Sequence, residues 1–131
     1  MRFVDSSFWI ALQSRRDRNH AAAQALARTG LGPLLTTNHV VGETWTFSSR
    51  KRGHEGAIEA VRALRAVPTL TIVHVDAEVE DDAWRWLNRR DEREYSFVDA
   101  TSFAVMRRRR IREALAFDGD FSAAGFLEVR P

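Results

Sequence analysis

Short apolar segments alternate with longer amphipathic segments along the chain. The short segments are rich in leucine and β-branched residues, which predicts strands, and they lie at residues 2–5, 34–36, 70–75, 114–117 and 126–129. Between them, apolar residues recur every three or four positions, which predicts helices that bury one face. Strands that alternate with helices in this way predict an α/β layer with a mainly parallel sheet.

Polar residues and glycine mark where the predicted helices begin and end. Ser6 or Ser7 is expected to cap the first helix, and Thr37 or Asn38 the helix that contains Glu43. Gly53 should separate that helix from the next one. The predicted helices cover residues 8–12, 17–28, 39–52, 54–67, 77–87 and 96–110, and the charged run 89–94 is predicted to be a loop.

The composition is that of a folded protein. A chain of 131 residues with 44% apolar and 29% charged residues can bury a core unaided, so we expect one domain over residues 1–131. The absence of cysteine excludes disulfide frameworks, thiolate zinc sites and cysteine nucleophiles. No apolar run approaches the about 18 residues that suggest a membrane span. We therefore expect a soluble, cytoplasmic protein.

Acidic residues recur where predicted strands end and helices begin. Asp5 and Asp118 follow strand-like runs, and Asp99 lies in the opening turn of a helix. The carboxyl ends of parallel strands meet at one edge of a sheet, so these side chains can gather there. Glu43 lies one turn into its helix, beside Gly42, which leaves room for a substrate to approach. Each acid alone could instead be a helix cap or a turn residue.

Carboxylates gathered at one point repel one another and resist burial, so such a cluster is tolerated chiefly when a divalent cation compensates its charge. Ligands that are all oxygen favour a hard ion, Mg²⁺ or Mn²⁺, over zinc. A bound ion of this kind lowers the pKa of water to make a nucleophile and stabilises charge on a phosphodiester. The acids therefore indicate metal-dependent phosphodiester chemistry.

Four segments resemble, in order, the motifs of PIN domains, specifically those of VapC-type toxins from bacterial toxin–antitoxin pairs. Residues 4–7, VDSS, resemble the opening strand motif, and residues 36–43, TTNHVVGE, resemble the helix that carries the glutamate. Residues 96–100, SFVDA, are similar to the third motif, and residues 116–121, AFDGDF, to the fourth. Each motif alone is weak, but all four in order over nearly the whole chain are a strong signal.

This resemblance implies a three-layer α/β/α sandwich with a mainly parallel sheet of four to five short strands. It also implies an endoribonuclease that uses Mg²⁺ or Mn²⁺, is restrained by a cognate VapB-type antitoxin and commonly forms a homodimer. By motif match, Ser6 would be a supporting hydroxyl. The catalytic residues and metal ligands would be Asp5, Glu43, Asp99 and Asp118.

The fourth motif departs from the family pattern in one respect. The family usually has threonine or serine where this chain has Ala116, so a hydroxyl is missing near Asp118. Asp120 is the alternative fourth acid. We expect Asp118 to bind the metal and Asp120 to support the site or cap a helix.

Basic residues provide candidate contacts to RNA. The formal net charge is +2, and every basic residue except Lys51 is arginine, which suits phosphate but can also reflect genomic base composition. The run from Arg107 to Arg110 could equally be a solvated helix end. The candidate RNA-binding residues are Arg50, Lys51, Arg52, Arg107 and Arg108.

Aromatic residues at helical spacing are more often packing residues than base-stacking platforms. We therefore predict packing roles for all four tryptophans, which are Trp9, Trp45, Trp84 and Trp86. An apolar groove for an antitoxin helix is predicted to involve Phe8, Trp9, Leu12 and residues 21–26.

Two other functions are compatible with the sequence. A non-catalytic RNA-binding or regulatory module with structural acids draws support from the missing hydroxyl at Ala116. A phosphohydrolase of small phosphate esters is disfavoured, because it would need a second acid two residues after Asp5, where Ser7 stands.

Overall fold

Five short strands form one sheet in the computed structural model, which describes residues 1–89 and 93–131. The strand order is β3-β2-β1-β4-β5, and every neighbouring pair is parallel. The predicted α/β layer with a parallel sheet is therefore confirmed. The strands are β1 (Arg2–Val4), β2 (Leu34–Thr37), β3 (Leu70–Val73), β4 (Glu113–Leu115) and β5 (Leu127–Glu128).

Six helices connect the strands in the described part of the chain. Right-handed crossovers place α1 to α3 on one face of the sheet and α4 and α5 on the other, which gives three layers. In agreement with this arrangement, α1 packs on α2 and α3, and α4 packs on α5. The helices are α1 (Ser6–Gln13), α2 (His20–Arg28), α3 (Asn38–Arg65), α4 (Ala77–Leu87), α5 (Phe97–Arg109) and α6 (Asp120–Ala123).

The helix boundaries correct two predictions and confirm a third. Neither Ser6 nor Ser7 caps α1, because the side chain of Asp5 accepts from the backbone N–H of Ser7 and is itself the cap. The helix predicted from residue 17 begins only at His20, after a turn in which the Asp17 side chain accepts from the Asn19 N–H. The predicted break at Gly53 is confirmed, because this residue has non-helical backbone angles (φ of 76°) that divide α3 into two helical segments.

Two strands, β3 and β4, end two residues earlier than predicted. Beyond β3, the N–H of Val75 donates to the side chain of Asn38 at 2.9 Å instead of to a neighbouring strand. Beyond β4, the N–H of Phe117 donates to Ser7 Oγ at 3.1 Å. Side-chain acceptors thus end these strands where the chain turns towards the carboxyl edge of the sheet. Thr37 caps α3 as predicted, and residues 90–92 of the predicted loop lie outside the described residues.

The core surrounds the central strand. Phe3 and Val4 of β1 and Leu34 and Leu35 of β2 are fully buried, as expected for strands covered on both faces. On the face of the sheet that α5 covers, Phe103 packs edge-on against Phe121 with ring centroids 5.1 Å apart. Among the described residues, no helix is both long enough and apolar enough to cross a lipid bilayer.

The predicted packing role of the tryptophans holds fully for two of them and partly for the other two. Trp9 and Trp86 are buried, whereas Trp45 and Trp84 are 36% and 48% exposed and pack on one side against His54 and Phe97. The predicted apolar groove for an antitoxin helix is wrong in its main residues, because Phe8 and Trp9 lie in the core. Helical spacing identifies a common face but does not show which element covers it.

Candidate active site

The strand order reverses between β1 and β4, and the candidate site lies at their carboxyl ends. Asp5 directly follows β1, and its backbone N–H donates to the carbonyl of Leu115, the last residue of β4, at 3.1 Å. Asp118 lies three residues further along the chain. Such a reversal opens a crevice at the carboxyl edge, which is where open α/β sheets bind ligands.

Three carboxylates form a close group in this crevice. One oxygen from each of Asp99, Asp118 and Asp120 lies within 4.8 Å of the others. Asp99 is placed by the first turn of α5, where Ser96 Oγ accepts from the Asp99 N–H at 3.0 Å and the Asp99 carboxylate accepts from the Ser96 N–H at 3.1 Å. The helix cap is therefore Ser96. Asp99 completes a capping box, a role that still leaves carboxylate lone pairs free towards the crevice.

Asp5 lies beside this group and is only 1% exposed. Its Oδ2 accepts from the backbone N–H and the hydroxyl of Ser7, at 3.1 and 2.6 Å. Its Oδ1 is buried and has no hydrogen-bond partner in the described part of the chain. An unpartnered buried carboxylate oxygen is costly, so this atom is an open ligand position.

Glu43 is connected to the site through Ser6. The hydroxyl of Ser6, the residue that follows Asp5, donates to Glu43 Oε1 at 2.5 Å. This bond holds the partly buried glutamate close to Asp5. The structure therefore gathers Asp99, Asp118 and Asp120 most closely, with Asp5 beside them and Glu43 attached through a hydroxyl.

The electrostatics of the site favour bound positive charge. Burial raises the pKa of Asp5 to about 7, and repulsion from Asp118 and Asp99 adds to the effect against the opposing hydrogen bonds of Ser7. Burial likewise raises the pKa of Asp99 to about 7, with further contributions from Asp120 and Asp118. The pKa of Asp118 is also raised, mainly by desolvation. The raised pKa values mean that the folded protein disfavours the negatively charged forms of these carboxyls, and a bound cation would stabilise those forms.

The chemistry of the donor set fits a hard divalent ion. Every candidate ligand is a carboxylate, and one buried oxygen of Asp5 is already unpartnered. Oxygen-only sites suit Mg²⁺ or Mn²⁺, which retain several water ligands. If such an ion were held by these carboxylates, it would supply an activated water for phosphodiester hydrolysis.

The profile of the PIN domain family matches residues 2–127. The chain belongs to the PIN-domain family. It is 55% identical, over all 131 residues and 99% of the relative's length, to the "23S rRNA-specific endonuclease VapC20" of Mycobacterium tuberculosis, with the same values for strains CDC 1551 / Oshkosh and ATCC 25618 / H37Rv. The crystal structure of Mycobacterium tuberculosis VapC20, a sarcin-ricin loop cleaving toxin, has a TM-score of 0.93 at 54% identity, with all of both chains covered.

These comparisons confirm the resemblance to VapC-type PIN domains and the three-layer fold that it implied. The departure from the family pattern lies at Ala116. This residue is buried, and its carbonyl accepts from Arg130. Next to it in the chain, the N–H of Phe117 donates to Ser7 Oγ, which itself donates to Asp5, so Ser7 connects the first and fourth motifs.

Two residues that hold the fourth PIN motif in place were missed in the sequence. Glu128 on β5 is buried and accepts from the N–H groups of Gly119 and Ser122, at 3.3 and 3.0 Å. Arg93 donates to Asp120 Oδ1 at 2.6 Å and to the Asp118 carbonyl at 2.9 Å. An acid inside the apolar run 126–129 was a detectable signal for Glu128, whereas one arginine in a charged run gave none for Arg93.

The candidate RNA-binding residues fall into two groups. Arg50, Lys51 and Arg52 are exposed on α3, where Arg52 pairs with Glu59 at 3.0 Å. The other two, Arg107 and Arg108, contact the rest of the protein: Arg107 lies 5.3 Å from the centroid of the Trp86 ring, and Arg108 pairs with Asp82 and Glu78 at 2.6 and 3.3 Å.

Proposed function

We propose that this protein is a metal-dependent endoribonuclease and the toxin of a toxin–antitoxin pair. The observation that carries the proposal is the group of carboxylates at the β1–β4 reversal, beside the buried and unpartnered Oδ1 of Asp5. RNA as the substrate is supported by full-length relatives whose name is 23S rRNA-specific endonuclease. Ribosomal RNA is therefore the substrate to test first.

The proposed metal ligands are Asp5, Glu43, Asp99 and Asp118. Asp118 is preferred to Asp120 because the guanidinium of Arg93 already compensates the Asp120 charge. When bound, Mg²⁺ or Mn²⁺ would supply an activated water and stabilise the charge that develops on the phosphodiester. The hydroxyl of Ser7 orients the carboxylate of Asp5, the backbone N–H of Ser96 orients that of Asp99, and the hydroxyl of Ser6 orients that of Glu43.

RNA binding is assigned chiefly to Arg50, Lys51 and Arg52, since they are exposed on the helix that carries Glu43. Arg107 and Arg108 are better explained as residues that connect α5 to α4, because ring and carboxylate contacts already engage both. By family membership we also propose a single cytoplasmic domain over residues 1–131 that forms a homodimer and is restrained by a VapB-type antitoxin.

The test is cleavage of purified 23S ribosomal RNA in Mn²⁺ and in excess EDTA. Wild-type protein should cleave only with the metal. Asp5→Asn and Asp99→Asn should each lower the rate more than about 100-fold, because even loss of an outer-shell partner of a metal ligand costs 10–100-fold. Asp81→Asn, which removes the same charge from an exposed position on α4, should leave the rate unchanged.

The alternative function, a degenerate module that binds RNA without cutting it, makes the opposite prediction for metal binding. Calorimetric titration of wild-type protein with Mn²⁺ should show a bound ion whose affinity is lost in Asp99→Asn. Absence of Mn²⁺ binding together with retained RNA binding would favour the alternative.

A further inference from the structure

A groove of about 650 Å³ runs between α1 and α3, outside the candidate active site. Its apolar surface includes Ile10 of α1 and Phe47 of α3. Its basic lining consists of Arg15 and Arg16, just after α1, and of Lys51 and Arg52 on α3. We refer to it as the α1–α3 groove.

This groove lies along the same two helices that hold the acidic end of the site. Ser6 and Ile10 are one turn apart on α1, and Glu43, Phe47 and Lys51 follow one another by single turns on α3. The hydrogen bond from Ser6 to Glu43 joins the two helices at the acidic end. Eight residues of helix from Glu43 to Lys51 span about 12 Å, so the basic end lies within reach of a nucleic acid strand held at the carboxylates.

The cations in the groove are available to a ligand. Arg15, Arg16 and Lys51 are exposed, and within residues 1–89 and 93–131 none of them lies within ion-pair distance of a carboxylate. Arg52 is partly compensated by Glu59, and Asp17 contributes one acid to the lining. The groove therefore has an excess of positive charge, in contrast to Arg108, which two carboxylates neutralise.

The groove also presents an aromatic face. Phe47 is 40% exposed, and Lys51 Nζ lies 5.9 Å from the centre of its ring. Proteins that bind single-stranded nucleic acids combine exposed aromatic rings, on which the bases stack, with cationic side chains that bind the phosphates.

We propose that the α1–α3 groove is a subsite for the single-stranded RNA that flanks the cleavage point. Arg15, Arg16 and Lys51 bind its phosphates, and Phe47 stacks on an unpaired base. This inference rests on the proposed ribonuclease function and extends it to residues outside the carboxylate centre. RNA fits better than an acidic peptide because the basic end of the groove lies only about 12 Å along α3 from Glu43, within the span of a few nucleotides bound at the site.

The test measures binding of a short single-stranded oligoribonucleotide to Asp99→Asn protein over a range of salt concentrations. For single strands, log K falls with log salt by about 0.7 for each phosphate contact. Adding Arg15→Gln and Arg16→Gln together should reduce that slope by about 1.4 and weaken binding at low salt. Arg28→Gln, an exposed arginine on α2 that does not line the groove, is the matched control.

The stacking part is tested with Phe47→Leu and with oligonucleotides that lack one base at successive positions. Phe47→Leu should weaken binding of the intact oligonucleotide about 5-fold or more, and the effect should disappear when the base that it contacts is missing. Unchanged melting temperatures would show that these exposed substitutions leave the fold intact.

Specific outcomes would overturn this inference. An unchanged salt slope in Arg15→Gln/Arg16→Gln, with wild-type protein still cleaving ribosomal RNA in Mn²⁺, would exclude the groove but leave the ribonuclease assignment standing. Weakened binding of a polyglutamate peptide with unchanged RNA binding would assign the groove to an acidic protein partner instead. Failure of wild-type protein to cleave or bind any RNA would exclude both proposals.

Discussion

Asp5→Asn should make the metal-free protein more stable while it abolishes metal binding. The folded protein raises the pKa of Asp5 from 3.8 to about 7, so the folded state binds this proton more tightly than the unfolded state does. The free energy of unfolding therefore falls as the pH rises from about 4 to about 7 and is level above that range. Asparagine carries no charge to desolvate, so the variant should lose this part of the pH dependence.

The size of the effect follows from the pKa. At about 1.36 kcal/mol per pH unit, an increase from 3.8 to about 7 corresponds to about 4 kcal/mol. Part of this free energy is repulsion of Asp5 by Asp118 and Asp99, and the mutation relieves it for these two neighbours as well, so the contributions do not simply add. We therefore expect the free energy of unfolding to increase by about 2–4 kcal/mol at pH 8. For a domain of this size the gain is a rise of roughly 5–15 °C in Tm.

The geometry should accommodate the new amide. Its oxygen can replace Oδ2 and accept from Ser7, while its NH₂ group replaces the unpartnered Oδ1. The assay is thermal unfolding in EDTA at pH 5 and pH 8, with Asp81→Asn on exposed α4 as the control for loss of one negative charge.

Saturating Mn²⁺ should reverse the order of stability. Wild-type protein gains about 2.7 kcal/mol when the ion is at 100 times its Kd, whereas Asp5→Asn should gain little. A metal-free Asp5→Asn protein that melts below wild type at pH 8, or one with an unchanged pH dependence, would refute the burial of an uncompensated charge at this position.

Two further outcomes test the residues that hold the carboxylates in place. Ser6→Ala removes the hydroxyl that donates to Glu43 and should weaken Mn²⁺ binding about 10-fold or more without lowering Tm much. Ser6→Thr keeps a hydroxyl and should restore part of the affinity. Equal calorimetric affinities in wild type and both variants would exclude this role for Ser6. The amide of Glu128→Gln has only one oxygen, so it cannot accept from the N–H groups of Gly119 and Ser122 at the same time and also pair with Arg130. Urea unfolding should therefore show a free energy of unfolding that is about 1–3 kcal/mol lower. An unchanged unfolding midpoint would contradict the role of Glu128 as the buried acceptor of this loop.

The layered fold could be predicted because its signals are local and repeated. Five short apolar runs separated by amphipathic segments leave little choice except a parallel sheet covered by helices. The place of Asp5 followed from the same pattern, since an acid at the end of a central strand must lie at the carboxyl edge. Thr37 was recognised as a cap because threonine before a helical run satisfies free N–H groups.

The features that could not be predicted depend on contacts between distant parts of the chain. The bond from the Phe117 N–H to Ser7 Oγ spans 110 residues, and the pairing of Arg93 with Asp120 spans 27. Neither leaves a local pattern. The exposure of Trp84 could not be inferred either, because helical spacing does not reveal that its face of α4 is only partly covered by Phe97.

Contacts between distant parts of the chain also explain why Asp120, and not Asp5, belongs to the closest group of carboxylates. Sequence motifs placed Asp5, Glu43, Asp99 and Asp118 together, but within residues 1–89 and 93–131 the three acids with mutually close oxygens are Asp99, Asp118 and Asp120. The bend at Gly119, with φ of 83°, brings Asp120 back towards Asp118, whose carboxylate accepts from the Asp120 N–H at 3.0 Å. Arg93 then supplies the positive charge that this proximity requires.

Anomalous diffraction from a crystal soaked in Mn²⁺ tests the central claim most directly. We expect a peak bound by oxygens of Asp99 and Asp118 at about 2.0–2.3 Å, near the distances that hard ions adopt, with the unpartnered Oδ1 of Asp5 turned towards it. A fully soaked crystal with no anomalous density between these carboxylates, or with density bound only elsewhere on the molecule, would contradict the account.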